Sequence, residues 1–188
     1  ELIYELTGRD AKLVLDPTLM LSAEEWKKIE NKPKYKIADK YVLVYFLGNI
    51  DHYLDEIQKF AKINQLELIN IFNVREEQYY CTTPDEFIWL VDHSEYVFTD
   101  SFHACVFSIL FHKQFSAFRR VEVGFEKMFD RIESLLNILG LENREYNGEN
   151  CDSLEWINWD DVEYRLEKKR NESIDFLSNA VKNNFRSF

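Results

Sequence analysis

Four short apolar runs constrain this chain more than anything else in it: Tyr41–Leu47, Leu66–Phe72, Tyr96–Phe98 and Phe115–Phe118. The first is continuous, as a strand buried on both faces requires. Segments with helical spacing separate the runs. Leu54, Ile57 and Ala61 give one apolar face, and Phe87, Ile88 and Val91 give another. A third apolar helical pattern begins at Ala104. Strand and helix therefore alternate several times with short crossovers. That alternation predicts an α/β domain: a Rossmann-like, three-layer unit with a parallel sheet and right-handed connections.

The most informative junction follows the third run. Tyr96–Phe98 stops at Thr99-Asp100-Ser101, and the Ala104 helix follows almost at once. Open parallel sheets bind ligands at the carboxyl ends of their strands. The free N–H groups of the next helix point at the same place and favour anions. Asp100, Ser101 and His103 all fall on this turn. His103 is suited to donate to an anion or to move a proton. Asp100 is suited to orient His103 or to accept a proton, although Asp and Ser also cap helices for purely structural reasons. Gly48-Asn49 breaks the first strand and permits close approach of a ligand to the backbone. Arg119 and Arg120 follow the fourth run, and Lys127 and Arg131 open the next helix. A guanidinium grips carboxylate or phosphate as a fork.

Other chemistries find no support. No Gly-x-Gly-x-x-Gly fingerprint, P-loop or Gly-x-Ser-x-Gly elbow occurs. His52, His93 and His112 lie on helix faces or ends without metal-ligand spacing. The three cysteines, Cys81, Cys105 and Cys151, are odd in number and far apart, as suits reduced thiols. No metal and no cofactor is expected. With 188 residues and 46% hydrophobic content, the chain can build one substantial core. Aromatic residues reach 15% while glycines number 5 and prolines 3, which argues against disorder. The formal net charge of -11 repels nucleic acid and anionic membrane surfaces, so neither is an expected partner. No apolar stretch approaches the roughly 18 residues of a membrane span, and no signal-peptide pattern opens the chain.

The remaining segments read more simply. Glu1–Arg9 suits the tail of a helix, and Ala11–Leu15 a strand ended by Asp16-Pro17. Ser22 with Glu25 outlines a capping box for a short helix that ends before Pro33. Asn31–Lys40 and Asn73–Thr83 read as loops, and Pro84 suits the first turn of a helix. Lys127–Leu139 is amphipathic and stops at Gly140, and polar loop fills 142–153. A long charged helix covers Asp160–Asn184, with a sparse stripe of Val162, Leu166, Ile174, Leu177 and Val181.

Several of these pieces also form a signature. Asp100-Ser101-Phe102-His103 leads into Val106-Phe107-Ser108-Ile109. Val14-Leu15-Asp16-Pro17-Thr18-Leu19 with Glu24-Glu25-Trp26 precedes it, as does Tyr45-Phe46-Leu47-Gly48-Asn49. Phe129-Asp130-Arg131-Ile132, Leu135-Leu136 and Leu139-Gly140-Leu141 follow. In order and spacing this set resembles the polysaccharide pyruvyl transferase family, from about Leu13 to the last helix.

The resemblance implies a GT-B-like enzyme with two Rossmann-like halves facing a cleft, of which this chain matches the second half. Residues 1–18 are then the end of a preceding domain and its linker, and 19–188 the donor-binding domain. On this view the 188 residues alone are expected to be inactive. The implied reaction moves pyruvate as a ketal from phosphoenolpyruvate to a sugar of a surface polysaccharide or a lipid-linked saccharide precursor. It is placed in the cytoplasm or at the inner face of the cell membrane. His103 and Asp100 are the implied catalytic residues, with acid and base unassigned. Ser101, Arg131, Arg119 and Gly48 are the implied substrate contacts. Two other readings share the same sheet and anion site: a GT-B glycosyltransferase half that binds a nucleotide sugar, and a non-catalytic phosphate- or sugar-binding domain. The last helix suits either a return toward the other half or the surface of a single domain.

Overall fold

A computed structural model describes residues 2–122, 124, 126–148 and 156–184. Its centre is a four-stranded sheet: β1 (Tyr41–Tyr45), β2 (Glu67–Asn70), β3 (Tyr96–Thr99) and β4 (Gln114–Ala117). The order is β2-β1-β3-β4 and every pairing is parallel. The helices are α1 (Leu2–Thr7), α2 (Ala23–Lys27), α3 (Leu54–Ile63), α4 (Glu77–Tyr80), α5 (Pro84–His93), α6 (Phe102–Leu110), α7 (Asp130–Leu139) and α8 (Trp159–Asn184).

Period-two alternation along fully buried strands creates the layers. Val42 and Val44 join Ile57, Phe60 and Ala61 of α3 on one face, together with Tyr96, Phe98 and Phe118. Tyr41 and Leu43 point the other way, with Ile69, Val97 and Phe115, into a larger core shared with α5, α6 and α7. The predicted three-layer, parallel α/β architecture is therefore present. The chain leaves β1 toward β2 on one side, then returns across β1 to lay down β3 on the other. That reversal puts the switch point between β1 and β3, where Val42 pairs with Tyr96 and Tyr45 with Thr99.

Local signals account for most element boundaries. Ser22 and Glu25 form both arms of the capping box on α2. Pro84 occupies the first turn of α5, behind a second capping box of Thr83 and Glu86. Gly140, at φ 71°, closes α7 in the left-handed conformation.

Other boundaries differ. Ala11–Leu15 is no strand: its Leu15 N–H donates to Ser173 Oγ of α8 at 3.1 Å rather than to a ladder. The segment runs beside α7 and α8, away from the sheet edges β2 and β4. The loop after β2 contains α4, held by buried Tyr79 and by turns in which Asn70 and Asn73 side chains accept backbone N–H groups. Helix α6 starts at Phe102, two residues before the apolar pattern, so His103 lies in its first turn. On α8, Val162 and Leu166 are buried whereas Ile174, Leu177 and Val181 are exposed. Cys151 and much of the predicted 142–153 loop lie outside the described residues. No helix among the described residues is long and apolar enough to cross a membrane.

Candidate active site

Three chain segments converge at the carboxyl edge of the sheet, and one carboxylate joins them. Asp100 Oδ1 accepts the Leu47 N–H at 2.7 Å, and Oδ2 accepts the Gly48 N–H at 2.8 Å. Arg120 Nε donates to the same Oδ2 at 2.9 Å. The Asp100 side chain is 1% exposed and that of Arg120 11%. The loops after β1, β3 and β4 are thus fastened at the switch point. Thr99 extends the fastening, since its hydroxyl donates to the Tyr45 carbonyl at 2.6 Å and accepts the Ser101 N–H at 2.9 Å. Glu122 accepts the Asn49 N–H, and that bond is the main reason its carboxyl sits below the ordinary carboxylate value. Gly48 is required by space: a Cβ there would lie 2.9 Å from Glu122 Oε1 and 3.1 Å from both Arg120 Cγ and Asp100 Oδ2.

Neither expected cap forms on α6. Ser101 occupies the N-cap position without a side-chain cap bond, and the Asp100 carboxylate is committed to the β1 loop. The first-turn N–H groups of α6 therefore have neither an intrahelical nor a side-chain acceptor. Ser101 itself is buried at this spot.

His103 projects from the first turn of α6 with 54% of its side chain exposed, and Nε2 lies 3.9 Å from Asp16 Oδ1. Asp16 Oδ1 also accepts the Thr18 N–H at 3.0 Å, which fixes the carboxylate at the head of a short 3-10 turn. Its other oxygen takes Arg131 Nη2 at 3.4 Å. Arg131 is 63% exposed and its guanidinium stacks over the Phe102 ring at 4.2 Å. Beside this group lies a cavity of about 330 Å³, walled by Leu15, Leu19, Phe102, Leu135 and Ile138, with Asp16, Asp130 and Arg131 as its charged residues. An exposed guanidinium, an imidazole and unpartnered amides beside an open recess can hold a small multivalent anion and move a proton to it.

The six expected site residues thus fall into groups. Asp100 and Gly48 are in direct contact. His103 and Arg131 share Asp16. Ser101 lies between the two groups on the chain. Arg119 stands apart: its Nε donates to Glu145 at 2.5 Å, Nη2 lies 3.5 Å from Glu133, and the guanidinium covers the Phe129 ring at 4.2 Å. The Glu145 bond chiefly raises its already high basicity.

Three residues outside that set take part. Arg120, rather than Arg119, reaches the switch point, and the signal was parity: Arg120 continues the Ser116, Phe118 side of the strand. Asp16 was legible as the end of an Asp-Pro segment, but its partnership with His103 was not. Glu122 carried no signal. Elsewhere, Glu30, Asp92 and His93 bring potential metal-ligating atoms within 4.8 Å of one another. Two of them are already engaged, since His93 Nδ1 donates to the Trp89 carbonyl at 3.0 Å and Asp92 pairs with Lys27 at 3.0 Å.

One protein-family model matches the chain, that described as polysaccharide pyruvyl transferase, over residues 1–120. The matched span includes Asp16, Gly48, Asp100, Ser101, His103, Arg119 and Arg120, and stops before Arg131. No curated protein and no solved structure matches.

Proposed function

Because the chain belongs to the polysaccharide pyruvyl transferase family, we propose that its site takes phosphoenolpyruvate as donor and a saccharide as acceptor. The observation that carries this reading is the pairing of His103 and Arg131 about Asp16, beside the amino end of α6. Phosphoenolpyruvate carries a carboxylate and a phosphate close together. The amino end of α6 and the Arg131 fork suit two such anionic groups. A multiply charged donor competes well against the single 3.4 Å contact from Asp16 to Arg131.

The chemistry then needs proton transfers in a set order. A proton adds to the methylene carbon of the enol, and the adjacent carbon becomes electrophilic. One sugar hydroxyl attacks that carbon and gives up its proton. Phosphate leaves with the C–O bonding pair, and a second hydroxyl closes the ketal and gives up its own proton. His103 is an exposed imidazole at this place and serves one of these transfers. Asp100 acts through position, holding the β1 loop against the β3–α6 turn. The acceptor belongs to a surface polysaccharide or a lipid-linked precursor, and the chain acts as the second half of a GT-B-like enzyme on the cytoplasmic side.

Calorimetric titration tests the donor assignment. Phosphoenolpyruvate is expected to bind, to weaken in Arg131→Ala, and to bind more tightly than uridine diphosphate. Tighter binding of the nucleotide would move the site to nucleotide-sugar chemistry.

A further inference from the structure

We infer that an aromatic recess at the ends of β1 and β2, against the start of α5, seats an uncharged pyranose ring of the acceptor saccharide. The inference builds on the pyruvyl-transfer reading above. The recess has a volume of about 210 Å³ and is lined chiefly by Tyr45, Phe72, Tyr80, Thr82, Thr83 and Phe87. Tyr45 ends β1 and Phe72 follows β2, so the recess lies on the carboxyl edge of the sheet, where open α/β folds take ligands.

Charge is the first selector. Among the described residues, no Lys, Arg, His, Asp or Glu lines the recess. A phosphate or carboxylate would lose hydration there without gaining a counter-charge. The donor is therefore excluded and a neutral ligand is favoured.

Ring geometry is the second. Tyr45 is tilted 56° to Phe72 and 47° to Phe87, with centroids 5.4 and 5.0 Å apart. Phe72 and Tyr80 meet edge-on at 80° and 6.0 Å. None of these pairs is parallel, so they form no slot for a flat nucleobase. A chair-shaped ring, with C–H bonds projecting in several directions, suits faces tilted this way.

Hydrogen-bonding capacity is the third. The Tyr45 and Tyr80 hydroxyls have no hydrogen-bond partner among the described residues. Burial, and then the nearby Asp100 carboxylate, raise the Tyr45 phenol, so it remains a neutral donor. The Thr82 hydroxyl donates to the Tyr79 carbonyl at 2.6 Å and accepts from Tyr35 at 3.1 Å, and the Thr83 hydroxyl donates to Asp85 at 2.5 Å and accepts in the α5 capping box, so the two tyrosine hydroxyls are the groups open to an incoming hydroxyl. Phe72 and Tyr80 are 45% and 52% exposed despite their apolar surface. One hydrogen bond ties the recess to the strand that leads to the proposed chemistry. The Tyr45 carbonyl is held by Thr99, two residues before Ser101 on the turn that leads to His103.

Saturation-transfer NMR with methyl galactoside, methyl glucoside and methyl mannoside tests the seat, with phosphoenolpyruvate titrated in parallel. Transfer to ring C–H groups of at least one glycoside is expected. Phe72→Ala and Tyr80→Ala, both at exposed positions and checked for folding by circular dichroism, are expected to weaken it by up to about tenfold. Phosphoenolpyruvate affinity should not change. Donor binding without transfer to any glycoside overturns the seat and leaves the reaction standing. Glycoside binding that neither substitution weakens overturns it too, as does preferential binding of uridine. Glycoside binding that depends on Tyr80, in a protein that ignores phosphoenolpyruvate, sustains the seat and defeats the donor assignment.

Discussion

Arg120 Nε lies 2.9 Å from Asp100 Oδ2, and the Gly48 N–H meets that same oxygen at 2.8 Å. One carboxylate therefore joins the loops after β1, β3 and β4, by backbone N–H bonds to the first and an ion pair to the last, at the point where the winding of the sheet reverses. In open α/β folds this is where a crevice forms. Here the buried carboxylate braces the β1 loop against the turn that carries His103.

Arg120→Ala is expected to destabilise the fold by about 3 kcal/mol, the low end of the cost of stripping one partner from a buried pair, because the two backbone N–H donors to Asp100 remain. Arg120→Lys should recover only part of this, since an ammonium lacks the planar fork. Urea unfolding followed by tryptophan fluorescence measures both. A change below about 0.5 kcal/mol for Arg120→Ala, the size of an ordinary surface substitution, would show that the pair contributes no brace.

Gly48→Ala tests the same brace by crowding. The added methyl meets Glu122, Arg120 and Asp100 at 2.9–3.1 Å, so at least one contact must shift. A loss of about 1–3 kcal/mol is expected, typical of overpacking. Substitution of the neighbouring exposed Leu47 by Ala should cost much less. Equal costs at the two positions would remove the argument from space.

His103→Ala separates chemistry from folding. More than half of the side chain is exposed, and its ion-pair contact is a long 3.9 Å. Stability should change by no more than about 0.5 kcal/mol, whereas loss of a positioned acid or base lowers the rate by about 10²–10⁴. Melting temperature and phosphate release are to be read on one preparation of the catalytically competent protein. Early melting with undiminished turnover of the folded fraction would make His103 structural.

Acid sensitivity follows from the capped carboxylates. Glu25 is held below its ordinary value first by the Ser22 N–H, and Glu122 first by the Asn49 N–H. A lowered folded value means that the unfolded chain takes up the proton first as pH falls. The contribution is therefore complete above the ordinary glutamate value, about 4.3, and is lost as pH drops through the lowered folded values. Thermal midpoints between neutrality and about pH 3 should show a flatter acid limb in the double variant Glu25→Gln, Glu122→Gln. An unaltered limb would mean that these two groups are not linked to folding.

The layered architecture was legible in residue order alone. Continuous apolar runs such as Tyr41–Tyr45 have one stable environment, a sheet covered on both faces, and short helical crossovers leave parallel pairing as the way to connect them. Turn chemistry was equally local: Ser22 with Glu25, Pro84 and Gly140 act on their own backbone, so their positions sufficed. The site was only half legible. That a turn after a buried strand carries Asp100, Ser101 and His103 follows from sequence, because strand ends and helix starts are local. Which residues meet there is not local. Asp100 turned to Leu47, Gly48 and Arg120 because β1, β3 and β4 ended side by side, and His103 met Asp16 because the 3-10 turn packed on α6. Arg119 and Arg120 are neighbours in sequence with similar side chains. Only the direction in which each leaves the end of β4 decided that one braces the switch point and the other pairs with Glu145 across a surface loop.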